Sequence, residues 1–259
     1  MGTAVQLKFL HRLEGPVWNL LATNDTLLIE VRTKEPRRVT FSALDLHNDV
    51  FLWRDKVLEE TWWVNASAIC SDIALFTIYM DTNNPDKKGI LAYSIHELQL
   101  KWWKNDFSIS ELGENSVKGF ASKFGLKEVV FDLHSGEPVD AESFVARRPV
   151  SSLQKPVQYS AGQDHFSTVQ TFLADRLNFP AVSSLEYLES GKCVIISCYS
   201  MEDDGLANYL FVLSVEGNVL LKEKLDGSLK GIGLDTFFIL DGCVIFVRNR
   251  TELISYNII

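Results

Sequence analysis

Two matching tetrapeptides, Ser116-Val-Lys-Gly119 and Ser228-Leu-Lys-Gly231, hold the residues of this chain whose types and spacing most clearly suggest chemistry. A lysine ammonium is a compact point charge with three donors, suited to an anionic group. Val17-Trp18, Val64-Asn65 and Val182-Ser183 occupy the analogous place in the pattern of apolar runs. Lys118 and Lys230 are therefore expected to join Trp18, Asn65 and Ser183 in a polar, partly cationic collar that binds a ligand.

Other constellations point elsewhere. His47, His96 and His134 recur at similar places in three segments and invite a metal site. Asp81, Asp86, Glu202, Asp203 and Asp204 supply carboxylates without the alternating spacing and glycine of a calcium loop. Glu186 and Asp72 are the carboxylates that an acid–base mechanism could draw on. No Walker loop, GxSxG elbow or HExxH motif is present, and Gly231-Ile-Gly233 lacks the third glycine and the strand-turn-helix setting of a dinucleotide site. Cys70, Cys193, Cys198 and Cys243 each sit in apolar sequence without CxxC spacing and are expected to be buried free thiols.

These residues are positioned by short strands. From Val17 the chain alternates apolar runs with Asn, Asp, Gly and Pro: Val17 to Ala22, Leu27 to Arg32, Val39 to Leu46, and Val50 to Val57. Such runs are strands joined by hairpins. The pattern returns over Asn65 to Ser71, Ile73 to Met80, Ile90 to Ile95 and Leu98 to Phe107, with Asp81 to Gly89 as a loop. A shorter copy spans Val117 to Val139, a fourth ends in Tyr209 to Leu221, and a fifth begins at Leu253.

Leu46-His47, Ile95-His96 and Leu133-His134 superimpose at the turn between third and fourth strands, and Trp53 and Trp102 each fall seven residues beyond their Leu or Ile. Equivalent corners lie 49, 38 and 42 residues apart, with one gap of 82. Periods of about 40 to 50 suit a four-stranded propeller blade. The long gap holds either two poor blades or one blade plus an insertion at about 141–180; the insertion is favoured because Asp164 to Leu177 places Phe166, Val169, Phe172, Leu173 and Leu177 at helical spacing behind Asp164 as N-cap. That helix, near 165–177, could lie over the channel mouth as a lid, on the face that the loops Asp81 to Gly89 and Met201 to Asn208 are also expected to share.

The expected fold is all-β: a single β-propeller domain over 1–259 with five blades, closed by the N-terminal strand Val5 to Leu13 pairing with the C-terminal blade. In that arrangement the three histidines lie at outer corners of different blades, too far apart to share one ion at bonds of about 2 Å. They are read as turn residues, and the tryptophans as packing. One member of each doublet, Trp62-Trp63 and Trp102-Trp103, faces away from the core.

The repeated corner, Ala43-Leu-Asp-Leu-His-Asn-Asp-Val-Phe-Leu-Trp53 and Val130-Phe-Asp-Leu-His-Ser-Gly-Glu137, resembles the quinoprotein-like (PQQ-like) propeller repeat, in which a strand ending in Leu-Asp turns through a Gly into a strand containing Trp. The resemblance implies a propeller. The larger blade number, signal peptide, vicinal cysteines and calcium ligands of the quinone-dependent dehydrogenases have no counterpart here, so the chain is similar to small cytoplasmic bacterial propeller proteins of unknown function.

With a net charge of −9 and a pI near 5.1, the 259-residue chain lacks the basic footprint of a nonspecific nucleic-acid binder. Charges at Lys8, His11, Arg12 and Glu14 interrupt any signal-like run, no stretch approaches the ~18 apolar residues of a membrane span, and Gly2 is followed by Gln6 where myristoylation favours Ser or Thr. A cytoplasmic location without a membrane partner is expected. The sequence favours a noncatalytic scaffold that binds a protein segment or an anionic small molecule at the channel mouth. The alternative is a propeller hydrolase or lyase using channel carboxylates. No catalytic residue, metal or cofactor is assigned.

Overall fold

The computed structural model describes residues 4–121, 127–191 and 193–259; Gly2 and residues 122–126 of the third repeat lie outside that range. The chain forms two compact units, Glu14–Ser151 and Met1–Leu13 with Ser152–Ile259. Strand β1 (Val5–Arg12) opens the chain and belongs to the second of these.

Three antiparallel sheets build unit 14–151. The first is β2 (Val17–Ala22), β3 (Thr26–Lys34), β4 (Arg37–Asp45) and β5 (Val50–Lys56), and the second is β6 (Val64–Cys70), β7 (Ile73–Tyr79), β8 (Lys88–Ser94) and β9 (Leu100–Lys104). The third is β10 (Phe107–Leu112), β11 (Ser116–Ala121), β12 (Lys127–Asp132) and β13 (Pro138–Val139). In each, the strands lie side by side in chain order, as hairpin connections require.

The other unit begins with β14 (Leu153–Gln154), β15 (Val157–Ser160) and helix α1 (Asp164–Leu177). Its larger sheet runs β15, then β16 (Val182–Glu189), β17 (Cys193–Glu202), β18 (Gly205–Ser214) and β19 (Val219–Leu229). The fifth sheet contains β20 (Phe237–Leu240), β21 (Cys243–Arg248) and β22 (Glu252–Ile258), with β1 on the β22 edge and β14 on the β20 edge. The expected pairing of the N-terminal strand with the C-terminal sheet is thus present, in a register from Val5 opposite Ile258 to Arg12 opposite Glu252.

Sequence alternation becomes packing between neighbouring sheets. Leu28, Phe41, Ala43 and Trp53 of the first sheet meet Val64, Ala66, Phe76 and Ile95 of the second, with the Phe41 and Phe76 rings edge to face at 4.8 Å. The opposite face of the second sheet, through Ile73, Leu75, Ile90 and Trp102, meets Phe107, Val117 and Leu133 of the third. Each large side chain fully buried in this way contributes about 1.5–3 kcal/mol. Leu188, Ile195, Leu210 and Val212 of the fourth sheet pack likewise on Phe237, Val244 and Ile254 of the fifth.

The seven-residue offset between corner and tryptophan has a specific cause. The Trp53 indole N–H donates to the Ile95 carbonyl at 2.6 Å, and that of Trp102 to the Leu133 carbonyl at 2.8 Å. In both, the outer strand of one sheet grips the corner of the next. The corners are built alike: Asp45 Oδ1 accepts from the His47 and Asn48 amides, and Asp132 Oδ1 from those of His134 and Ser135, which is an Asx turn. Gly136 completes the third corner at φ +69°, where a Cβ would come within 2.6 Å of Trp102 Cγ. Only glycine fits there.

Three expectations change. Residues 98–107 do not form one outer strand: Asn105 and Asp106, the latter at φ +63°, turn the chain from β9 into β10, so Ser116-Val-Lys-Gly119 lies in the second strand of its sheet. Met201 to Asn208 is no long loop, since β17 and β18 continue to Glu202 and from Gly205. Helix α1 has the expected span, but its N-cap is Gln163, whose side chain accepts from the Ser160 amide instead, and Asp164 falls in the first turn. The helix packs Phe166, Val169 and Leu173 on Leu185, Ile196, Cys198 and Phe211 of the fourth sheet, so it covers a face of that sheet. The insertion also supplies β14 and β15 to two sheet edges.

All four cysteines are buried, and none forms a disulfide. Among the described residues no helix is long and apolar enough to cross a membrane. Replacing Trp53 or Trp102 by Phe keeps most of the packing but strands a buried carbonyl, so each variant should lose about 1–3 kcal/mol in equilibrium urea unfolding. Wild-type stability in both variants would show that the indole N–H groups do not join the sheets.

Candidate functional site

One face of the second sheet changes character along its length. On β7, Ile73, Leu75, Thr77 and Tyr79 point to the same side. Across the ladders, Ala92 lies opposite Leu75, Ile90 opposite Thr77, and Lys88 opposite Tyr79; on β6, Cys70 faces Ile73, Ala68 faces Leu75, and Asn65 faces Thr77. A register shift between Ala66 and Ala68 makes Ser67 the extra residue of a bulge, a device that re-aims side chains. The Ile73 end is closed by the third sheet. At the Tyr79 end the row turns polar and the sheets part.

The result is a cleft of about 270 Å³ lined by Asn65, Ser67, Thr77, Tyr79 and Lys88 on one wall and by Ser108, Ile109 and Leu112 of β10 on the other, with Ala68 at its base. Ser67 Oγ and Thr77 Oγ1 are 2.6 Å apart. Asn65 Nδ2 donates to Ser67 Oγ at 3.2 Å and to the Ala66 carbonyl at 3.3 Å. That fixes the amide, and its Oδ1 is buried, with essentially no surface open to the cleft and without a partner. Lys88 Nζ stands 5.7 Å from the Tyr79 ring centre, and among the described residues no carboxylate lines the cleft. The wall therefore offers hydroxyls and one cationic residue.

Of the five residues expected to form a collar, Asn65 alone lines this cleft. Trp18 on β2 is 69% exposed, with the Arg32 guanidinium 5.3 Å from its ring. Lys118 on β11 pairs with Glu111 at 2.5 Å and lies 4.5 Å from the Phe144 ring; its hydrogen bond to Glu111 holds the ammonium above the ordinary lysine range. Ser183, at φ +65° near the start of β16, accepts from the Ala161 amide through its carbonyl. Lys230 is exposed just past the end of β19. The two matched tetrapeptides are thus not structurally equivalent, because one is a second strand and the other ends an outer strand.

Thr77, Tyr79 and Lys88 were missed. The first two interrupt an apolar alternation begun by Ile73 and Leu75, which is a readable signal; Lys88 was assigned to the loop Asp81 to Gly89, whereas it starts β8.

The buried carboxylates serve as fasteners. Glu30 Oε2 accepts from the Ala66 amide at 2.9 Å and Oε1 from Arg32 Nε at 2.7 Å, while Arg32 Nη2 donates to the Val64 carbonyl. Glu186, expected as an acid–base candidate, accepts from the amides of Asp235 and Thr236 at 2.5 and 2.9 Å and from Thr236 Oγ1 at 2.5 Å. Each links one sheet to the next, and burial pushes both carboxyls above the ordinary glutamate range against those hydrogen bonds. Asp72, the second candidate, sits at the β6–β7 turn 3.3 Å from His134 Nδ1. His47 Nε2 lies 3.1 Å from Asp25, and no group of three potential metal ligands occurs among the described residues.

A family model described as a domain of unknown function, DUF4905, matches residues 22–102, which include the polar row of β6, β7 and β8. No curated protein matches the chain in sequence. Similar solved structures include BamB from Moraxella catarrhalis, at 10% identity and a TM-score of 0.34 over 98% of each chain. The β-propeller domain of the Trilobed protease from Pyrococcus furiosus is 14% identical, with a TM-score of 0.35 over 89% of this chain and 78% of that one. A DUF4221 family member from Bacteroides vulgatus is 9% identical, with a TM-score of 0.33 over 99% and 98%.

A raised native pKa has a definite sign. The share of stability due to Glu186 is present in full below its ordinary value of 4.5 and is lost as pH rises through the higher native value. Glu186→Gln leaves one of the converging donors without an acceptor and should cost about 1–3 kcal/mol. In urea unfolding across pH 4 to 7, scale set by that window, the gap between wild type and variant should be widest in acid and narrow toward neutrality; a gap that widens with pH would reverse the assignment.

Proposed function

We propose that this chain is a noncatalytic binding scaffold of the β-propeller kind, its five sheets serving as five blades of one domain, with β1 completing the last. A cytoplasmic location belongs to the same proposal. Support for the blades comes from the strand order within each sheet, the repeated Asx corners and the β1–β22 pairing.

Its ligand is a small anionic molecule held in the cleft between β6, β7, β8 and β10. The observation that carries this is a recess lined by the polar side chains of Asn65, Ser67, Thr77, Tyr79 and Ser108, with Lys88 and no carboxylate among its described lining residues. A polar recess built into a face that is otherwise core costs packing, which a bound ligand offsets. Asn65 is the one member of the expected collar that lines the recess, whereas the Lys118 ammonium is engaged by Glu111. A hydrolase or lyase would need available paired carboxylates. Glu186 is occupied by three donors and Asp72 faces His134.

Heteronuclear NMR of the full chain against a library of small anions and short peptides tests the site. Shifts should gather at Asn65, Ser67, Thr77, Lys88 and Ser108 and should vanish in Lys88→Glu. Shifts gathered instead around Trp18, Lys118 or Lys230, or none from any library member, would contradict the assignment.

A further inference from the structure

Unit 14–151 also carries a continuous ladder of indole rings and guanidiniums that shares no residue with the lining of the cleft. Arg32 Cζ stands 5.3 Å from the Trp18 ring centre and 5.6 Å from that of Trp62; Arg37 Cζ stands 4.5 Å from Trp62 and 5.4 Å from Trp63. The order is therefore Trp18, Arg32, Trp62, Arg37, Trp63. Single exposed hydrophobic residues are ordinary, whereas a contiguous patch marks a contact surface. Here the two end rings, Trp18 and Trp63, are 69% and 39% exposed, and Trp and Arg are enriched among the residues that dominate binding.

Two features hold the ladder ready. Trp18 is the extra residue of a bulge, since Val17 pairs with Val31 and Asn19 with Glu30, and a bulge re-aims its side chain. Arg32 is fixed by Glu30 Oε1 at 2.7 Å and by the Val64 and Trp62 carbonyls at 2.7 and 3.4 Å, so its charge is answered inside the fold. Preorganisation of this kind lowers the cost of binding.

Arg37 differs. It is exposed at the start of β4, and among the described residues its guanidinium meets the Trp62 and Trp63 rings and no carboxylate. The nearby carboxylates have other partners: Glu60 Oε1 accepts from the Trp62 and Trp63 amides at 2.8 Å, and Glu14 lies 3.9 Å from Arg38. A guanidinium stacked on a ring keeps its in-plane N–H groups open, and these form the fork that takes a carboxylate through two parallel bonds. The ladder thus offers open ring faces at its ends and an unanswered cationic fork between them.

We infer that this ladder docks an extended acidic segment of another protein, with a carboxylate on the Arg37 fork and an aromatic side chain against the open face of Trp18 or Trp63. Single-stranded nucleic acid also pairs rings with anions, but the net charge of −9 opposes a phosphate backbone.

Fluorescence anisotropy on the full chain would use short labelled peptides of Asp and Glu carrying Tyr or Phe. Comparators are the same peptides with Ala for the aromatic residue or Lys for the acids, and oligothymidylate. At least one acidic aromatic peptide should bind about tenfold or more tighter than every comparator. Arg37→Glu should weaken that binding about tenfold or more, Trp18→Ala should weaken it as well, and Lys88→Glu in the cleft should leave it unchanged. Circular dichroism checks that each variant folds, and Arg37→Glu suffices should Trp18→Ala not fold. Unchanged affinity in Arg37→Glu, or no binding of any acidic aromatic peptide, would overturn the inference and leave the ladder as a lock between the first two sheets. Tighter binding of oligothymidylate would overturn it in favour of single-stranded nucleic acid, and binding lost in Lys88→Glu but kept in Arg37→Glu would move the peptide to the cleft.

Discussion

Neighbouring sheets of this chain meet face to face, and the polar groups caught between them have to be satisfied across the junction. A buried backbone group without a partner costs about as much as a large apolar contact contributes. Between the first three sheets the solution is an indole. Trp53 and Trp102 bring packing area and one N–H each, delivered to the corner carbonyls of Ile95 and Leu133. Between the fourth and fifth sheets the equivalent outer-strand position is Lys222, and the join is made by the Asn249 amide on the Leu225 carbonyl, with Arg248–Glu223 and Arg250–Asp226 ion pairs at 2.8 Å. Glu30 and Glu186 add a buried carboxylate to one junction in each unit.

The same constraint explains the cleft. At the junction of the second and third sheets the apolar row ends at Leu75, Ile90 and Ala68, beyond which Asn65, Thr77, Tyr79 and Lys88 cannot be buried dry. The bulge at Ser67 turns one more hydroxyl into the gap.

The strands of the first two sheets were legible because hydrophobic period and turn residues agree there, and the corner with its distant tryptophan carried the sheet-to-sheet order. Phe107 was read into the preceding strand because a long apolar run masks the Asn105-Asp106 turn. β14 and β15 could not be read: strands of two and four residues exist because a sheet edge pairs them, which local propensity does not encode. Of the residues that line the cleft, the sequence singles out Asn65. Its partners come from four strands, and the cationic one, Lys88, hides at the end of the charged run Asp86-Lys87-Lys88.

A crystal structure of the full chain grown with a saturating small anion that shifts the cleft resonances addresses the cleft most directly. Density for the anion should lie against Lys88 Nζ, with Ser67, Thr77 or Ser108 donating to it. A cleft holding only water would contradict the account.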